Sequence, residues 1–261
     1  MCIIHAIHME LIMHKSLFVI ALAALPLSAC GYSVMDAAED ISGSDNGLAN
    51  GSKIGTAASA TGSFTKVEGI GPDNIIFVVG DSFSIKAEGS EEAVAALRYK
   101  LDDGAIRIGR TKGKWFGDGA KPATITITAP FISEASLAGS GDFSADKMEA
   151  ETLDLEIAGS GSIKVGTLTG RKLETNIAGS GEAFLAGKVE KAKYSIAGAG
   201  TVDAAKLVST DAEVSIAGSG DLKLNATGTV DVSIAGSGDV DVTGGAKCTT
   251  SKMGSGNVNC S

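Results

Sequence analysis

Ile157-Ala158-Gly159-Ser160-Gly161 is the stretch whose reading decides the fold, because the chain states it seven times with small changes. The other copies are Leu137 to Gly141, Ile177 to Gly181, Ile196 to Gly200, Ile216 to Gly220, Ile234 to Gly238 and, most altered, Lys252 to Gly256. Their leading glycines Gly139, Gly159, Gly179, Gly198, Gly218, Gly236 and Gly254 stand 20, 20, 19, 20, 18 and 18 residues apart. A period so regular is the signature of a solenoid.

Working outward from the glycine, the parity of the flanks defines the unit. Leu153, Leu155 and Ile157 precede one copy at alternate positions and Ile163 and Val165 follow it; Val230, Val232, Ile234, Val240 and Val242 do the same around another. The intervening positions are polar, as with Asp154, Glu156, Ser162 and Lys164. Alternation of this kind marks strands with one buried and one wetted face. The leading glycines, with the trailing Gly141, Gly161, Gly181, Gly200, Gly220, Gly238 and Gly256, interrupt the apolar side chains for one beat. A chain turning a corner around a narrow core there lacks room for a Cβ or needs positive φ, so these glycines are expected to be structural turns. One coil of 18 to 20 residues then holds two or three short strands, pairing in parallel with the next coil about 4.8 Å along the axis. The reading is an all-β, single-stranded parallel β-helix, right-handed because parallel crossovers are.

The composition agrees with one elongated domain. In 261 residues there are 35 glycines, 4 prolines and 5% aromatics, so the apolar mass is aliphatic, as narrow coils require. The net charge of −9 disfavours nucleic acid as a partner. Acids recur at outward positions (Glu134, Asp154, Glu174, Glu213, Asp231), which suits a solvated, aggregation-resistant face; a cation-binding ladder is the sharper alternative.

Residues 1–29 read as a lipoprotein signal peptide, with translation expected to start at Met13: a basic start at His14 and Lys15, a short apolar run, then Leu27-Ser28-Ala29-Cys30. That ending resembles the bacterial lipobox, which makes Cys30 the lipidation site; several acyl chains on one cysteine suffice for a stable anchor. Gly31 rather than Asp at the next position directs the protein to the outer membrane in the Gram-negative sorting pattern. Residues 30–62, rich in Ser, Asn, Asp, Ala and Gly, read as a flexible tether.

Residues 63–130 are expected to form N-terminal coils and a cap, with strands at 75–79, 83–87, 105–108 and 124–128. Ser90-Glu91-Glu92 opens a short helix reaching Leu101. Solenoids need such caps because a bare end presents unpaired edges. Arg107, Arg110, Lys112 and Lys114 lead into Trp115 and Phe116, a basic and aromatic loop on an acidic body. Arg110, Lys112, Lys114, Trp115 and Phe116 form a candidate ligand-binding loop for an anionic glycan or lipid phosphate; the alternative is that Trp115 plugs the side of the solenoid. Residues 131–261 hold the regular repeats. Cys248 and Cys260 fall where earlier copies place Val230 and Val242, so both should point inward and, in an oxidising envelope, form a disulfide.

The chemistry open to the chain is narrow. All three histidines, His5, His8 and His14, lie in the leader, which removes Ser-His-Asp and Cys-His catalysis and histidine-bound metal from the mature chain. The serine of the repeat becomes Ala199 in one copy, as a ladder tolerates and a catalyst does not. No phosphate loop is present, and no cofactor or metal is expected. Carboxylates are the remaining catalysts, with Asp221, Asp239 and Asp241 close together by register.

The lipobox, the tether, strand runs such as Phe64-Thr65-Lys66-Val67 and Ile75 to Val79, and the train of Gly-Ser-Gly corners together resemble the bacterial head GIN domain family, also described as putative autotransporter adhesin head proteins. The resemblance spans roughly residues 60 to 260. It implies a pectin-lyase-like right-handed β-helix without recognised catalytic residues and a role in adhesion or in another interaction at the cell surface. The Lys252-Met253 copy and the terminal cysteines depart from the pattern. The expectation is therefore a non-enzymatic, lipid-anchored envelope protein meeting a surface glycan or an envelope protein. The alternative is a polysaccharide-binding or polysaccharide-cleaving β-helix working through outward carboxylates.

Overall fold

The computed structural model describes residues 48–54, 58–59, 63–111 and 121–261. The expected signal peptide with Met13, the anchor Cys30, most of the tether, and Lys112, Lys114, Trp115 and Phe116 lie outside the described residues.

The body is a β-solenoid built on two long parallel ladders. The first ladder stacks Glu134–Gly139, Thr152–Gly159, the end of Ser162–Gly179, the end of Glu182–Gly198, Asp211–Gly218, Thr229–Gly236 and Lys247–Gly254. The second stacks Asn74–Val79, Phe143–Glu149, the starts of Ser162–Gly179 and Glu182–Gly198, then Thr201–Ser209, Asp221–Ala226, Val240–Thr243 and Val258–Cys260. A shorter third side closes each middle coil, reached through register shifts such as that between Val165 and Leu168.

The repeat phrase holds the phase of the stack. Gly139, Gly159, Gly179, Gly198, Gly218, Gly236 and Gly254 pair rung to rung in one file. Gly218 shows why the position is glycine: its φ is +130°, and a Cβ there would overlap the carbonyl oxygen of Gly198 on the rung below. The trailing Gly220 is needed for a different reason, since a Cβ would come 2.5 Å from Ile196 Cγ2. Both glycines let successive turns pack at the close spacing of a parallel ladder.

Inside, like residues pile on like. Leu137, Ile157, Ile177, Ile196, Ile216 and Ile234 form one buried column. Each such side chain stabilises the fold by about 1.5–3 kcal/mol relative to exposure. Volume is conserved within a coil: Tyr194, 1% exposed, shares its turn with the small Ala183 and Ala192.

The N-terminal part departs from simple order. Lys66–Gly71 pairs with Glu134–Gly139 on one side and with Ala105–Arg110 on the other, and Asn74–Val79 lies likewise between Phe143–Glu149 and Thr124–Ala129. The chain thus makes one coil, leaves to build a second coil outside it, and returns to continue on the inner side. Gly71 stands below Gly139 as an earlier member of the file. Ser84–Glu88 and Leu97–Asp102 run antiparallel to the outermost strands, and Ser52–Lys53 and Ala58–Ser59 pair antiparallel to these in turn. The expected tether of residues 30–62 is therefore too long: from Leu48, which is buried with Ile54, the chain already packs on the body.

The helix ends earlier than its apolar spacing suggests, at Glu91–Ala96, with Ser90 Oγ accepting from the Ala93 amide at 3.3 Å. From Leu97 the chain is a strand, because Asp103 and Gly104, both at positive φ, turn it into a hairpin with Ala105–Arg110.

Candidate functional site

Outward side chains along the first ladder form columns at right angles to the strands. One column reads Thr152, Lys172, Lys191, Asp211, Thr229; the next reads Glu134, Asp154, Glu174, Lys193, Glu213, Asp231. A groove of about 500 Å³ runs across them over the middle and later coils. Its floor includes the backs of Leu173, Ala192 and Ala212, and its walls carry Lys172, Lys191 and Lys193 together with Glu174, Asp211, Glu213 and Asp231.

The charges in the groove are differently engaged. Lys193 Nζ lies 3.4 Å from Glu174, and Asp211 Oδ1 accepts from the Thr229 hydroxyl at 2.7 Å and amide at 3.1 Å. Those bonds hold the Asp211 carboxyl below the usual carboxylate range, with a smaller contribution from Lys191. Lys172 and Lys191, on adjacent rungs, are exposed and have no carboxylate within ion-pair distance among the described residues.

Next to the groove the balance reverses. Asp154 is stacked between Glu134 and Glu174, and burial followed by the charges of Glu156, Glu174 and Glu134 pushes its carboxyl up to about 7. Its Oδ1 is shielded from solvent and has no hydrogen-bond partner.

The sequence-derived candidates separate into distinct places. Arg110 is not a loop cation: it is 1% exposed and grips Asp73 through two hydrogen bonds of 2.7 and 2.6 Å, donating a third to the Lys121 carbonyl at 3.1 Å. Asp73 Oδ1 also accepts from the Ala123 amide at 2.8 Å. The pair ties the corner of the first coil to the strand outside it. A buried charge with its partner in place is retained, and removing either partner costs about 3–5 kcal/mol. Arg107 is likewise engaged, 2.7 Å from Glu68.

Two of the three carboxylates considered for catalysis serve as brackets between coils. Asp221 Oδ1 accepts from the Asp239 amide at 3.1 Å, and Asp239 Oδ1 accepts from the Asn257 amide at 2.8 Å and its side-chain amide at 3.0 Å. Asn74, Asp142 and Ser162 form the same arrangement at the other end of the second ladder. Asp241 stands beside Lys223 one strand over. Cys248 and Cys260 are joined by a disulfide with Cα atoms 6.6 Å apart, on the rung after Val230 and Val242 in register. Cys248 packs against the core, whereas Cys260 is exposed on the final coil.

The sequence profile of the family described as "Putative auto-transporter adhesin, head GIN domain" matches residues 63–246. The chain belongs to this family. Among solved structures this GIN domain protein is similar to a putative adhesin from Bacteroides fragilis, at 25% identity and a TM-score of 0.72, covering 78% of this chain and 95% of that one. A putative lipid binding protein from Parabacteroides distasonis is 22% identical with a TM-score of 0.64, covering 81% and 98%. A putative adhesin from Parabacteroides merdae is 19% identical with a TM-score of 0.61, covering 78% and 94%. The latter two likenesses speak to the shared fold. None of the curated proteins matches the chain.

Proposed function

We propose that this GIN domain protein is a non-enzymatic lipoprotein of the cell envelope, anchored in the outer membrane through acylated Cys30, that presents its solenoid for adhesion. A tether shortened to residues 30–47, because Leu48 and Ile54 are buried in the body, sets that body off the lipid surface. A surface glycan or an envelope protein meets the outward columns. The observation that carries the reading is the rung-to-rung stacking of those columns on an adhesin-family fold: it offers a long, rigid, repeated polar surface, suited to many weak contacts at once. The bracket role of Asp221 and Asp239 weighs against the cleaving alternative, because each carboxylate is already committed to the backbone of the next coil.

The test is to express the chain and Cys30→Ser in a Gram-negative host fed a labelled fatty acid. The reading expects label on the wild type alone, recovery of the wild type with outer membranes, and better attachment of those cells to a glycan-coated surface than of Cys30→Ser cells. Label on Cys30→Ser, or attachment equal to that of cells lacking the protein, contradicts it.

A further inference from the structure

Charge is banded along the solenoid in a way the total conceals. Between Ser162 and Gly198 there are six Lys and Arg residues against Glu174, Glu182 and Glu190, a net of +3 in a chain of −9. The coils before it, residues 134–156, carry −6, and those after it, 211–241, carry −5. The groove crosses from the basic band into the later acidic one, so its two ends differ in chemistry.

At the basic end, Lys172 and Lys191 sit on neighbouring rungs, which by strand spacing are about 4.8 Å apart. Like charges directly opposite one another on adjacent strands destabilise a sheet unless an anion lies between them. Of the neighbouring acids, Glu174 pairs with Lys193, and Asp211, bonded to Thr229, acts on Lys191 only through space. At the other end Glu213 and Asp231 line the wall as hydrogen-bond acceptors, and the Thr229 hydroxyl, already donating to Asp211, leaves only its oxygen beside them. Acceptors of that kind suit the hydroxyls of a neutral sugar and repel a second anion.

We propose that this groove binds an acidic glycan in which charged and neutral sugars are interspersed, its carboxylate or sulfate clasped by Lys172 and Lys191 and the adjoining neutral sugar by Glu213 and Asp231. This rests on the adhesion reading and specifies the ligand class. A polymer charged on every sugar places an anion against Glu213 and Asp231 and binds less well. Without an aromatic platform in the groove each site is weak, and retention comes from repeated engagement along the polymer.

The experiment measures binding of the purified full chain to four probes: a hyaluronan oligosaccharide with a carboxylate on alternate sugars, a singly sulfated keratan oligosaccharide, polygalacturonate charged throughout, and neutral dextran. The expected result is binding to hyaluronan or keratan sulfate, the stronger of the two identifying the anion, with weaker binding to polygalacturonate and none to dextran. Lys172→Ser/Lys191→Ser lowers that affinity at least tenfold, while Lys164→Ser/Lys206→Ser, outside the groove wall, leaves it within twofold. Both variants keep the wild-type melting temperature. Equal losses in the two variants, or polygalacturonate as the strongest probe, overturn the proposal in favour of unspecific charge attraction. Salt-sensitive self-association lost in Lys172→Ser/Lys191→Ser overturns it in favour of a second copy as the occupant. Cell attachment that persists in Lys172→Ser/Lys191→Ser sinks this site and leaves the adhesion reading standing.

Discussion

Two side chains in the described body lack what their chemistry asks for. Thr175 occupies an inward position between Leu155 and Tyr194, is 1% exposed, and its hydroxyl finds no partner. Replacing that hydroxyl by a methyl group removes an unsatisfied polar atom at nearly constant shape, so Thr175→Val should raise stability by about 1 kcal/mol. Denaturant titration checks it, and a loss of stability would mean that the hydroxyl is bonded. Asp154 has its folded titration raised from 3.8 to about 7, so the folded state holds a proton that the unfolded chain has released. Stability attached to this group is present below pH 3.8 and is lost as pH rises through about 7. Asp154→Asn should therefore lose less stability than the wild type between pH 5 and pH 8, gaining about 1–2 kcal/mol at pH 8 once solvent screening is allowed for. Parallel curves for the two proteins contradict the assignment.

The last coil differs in kind from those it follows. Where the preceding rung buries Val230, Val232, Ile234, Val240 and Val242, it places Cys248, Thr250, Lys252, Val258 and Cys260. The outer edges of Lys247–Gly254 and Val258–Cys260 pair with no further strand among the described residues, and Lys252, exposed where the preceding rung has Ile234, discourages addition of another chain. Lys252→Ile restores the aliphatic column and should produce association that rises with concentration; analytical ultracentrifugation reads it, and a strictly monomeric variant refutes the edge-guarding role. The disulfide closes a short loop, contributing about 3 kcal/mol in the chain-entropy view. Cys248→Ser/Cys260→Ser should lower protection from hydrogen exchange in residues 247–260 while leaving the middle coils as they were. A uniform loss throughout would show that the bridge stabilises the whole stack.

At this scale the limits of sequence reading are physical. The file of glycines was legible because its period is short and its residues are sterically required. Gly71 is hidden because 68 residues separate it from Gly139, with the outer coil inserted between them, and because Pro72 and Asp73 stand where the phrase has its serine and trailing glycine. Leu97 to Leu101 looked helical from apolar spacing, yet Asp103-Gly104 downstream forces a hairpin, so the longer-range pairing overrides local propensity. Arg110 read as a surface cation because nothing local announces Asp73, 37 residues earlier, as its partner. The lysine column was invisible for the same reason: Lys172 and Lys191 become neighbours only once the 19-residue coil is wound.

For the molecule as a whole, the ladders convert a modest sequence repeat into a rigid surface whose charge alternates along the axis, on a fold shared with proteins described as adhesins. The central claim is that this surface holds a partner without altering it. The most direct measurement is in a flow cell: cells carrying the full chain, or lacking it, pass over a surface of immobilised hyaluronan and keratan sulfate, and the polymer is afterwards released and sized. The account predicts that only cells with the chain are retained, that about 0.5 M salt frees them by screening the contacts, and that the polymer keeps its full length. Retention equal to that of cells without the chain, or a shortened polymer, would contradict it.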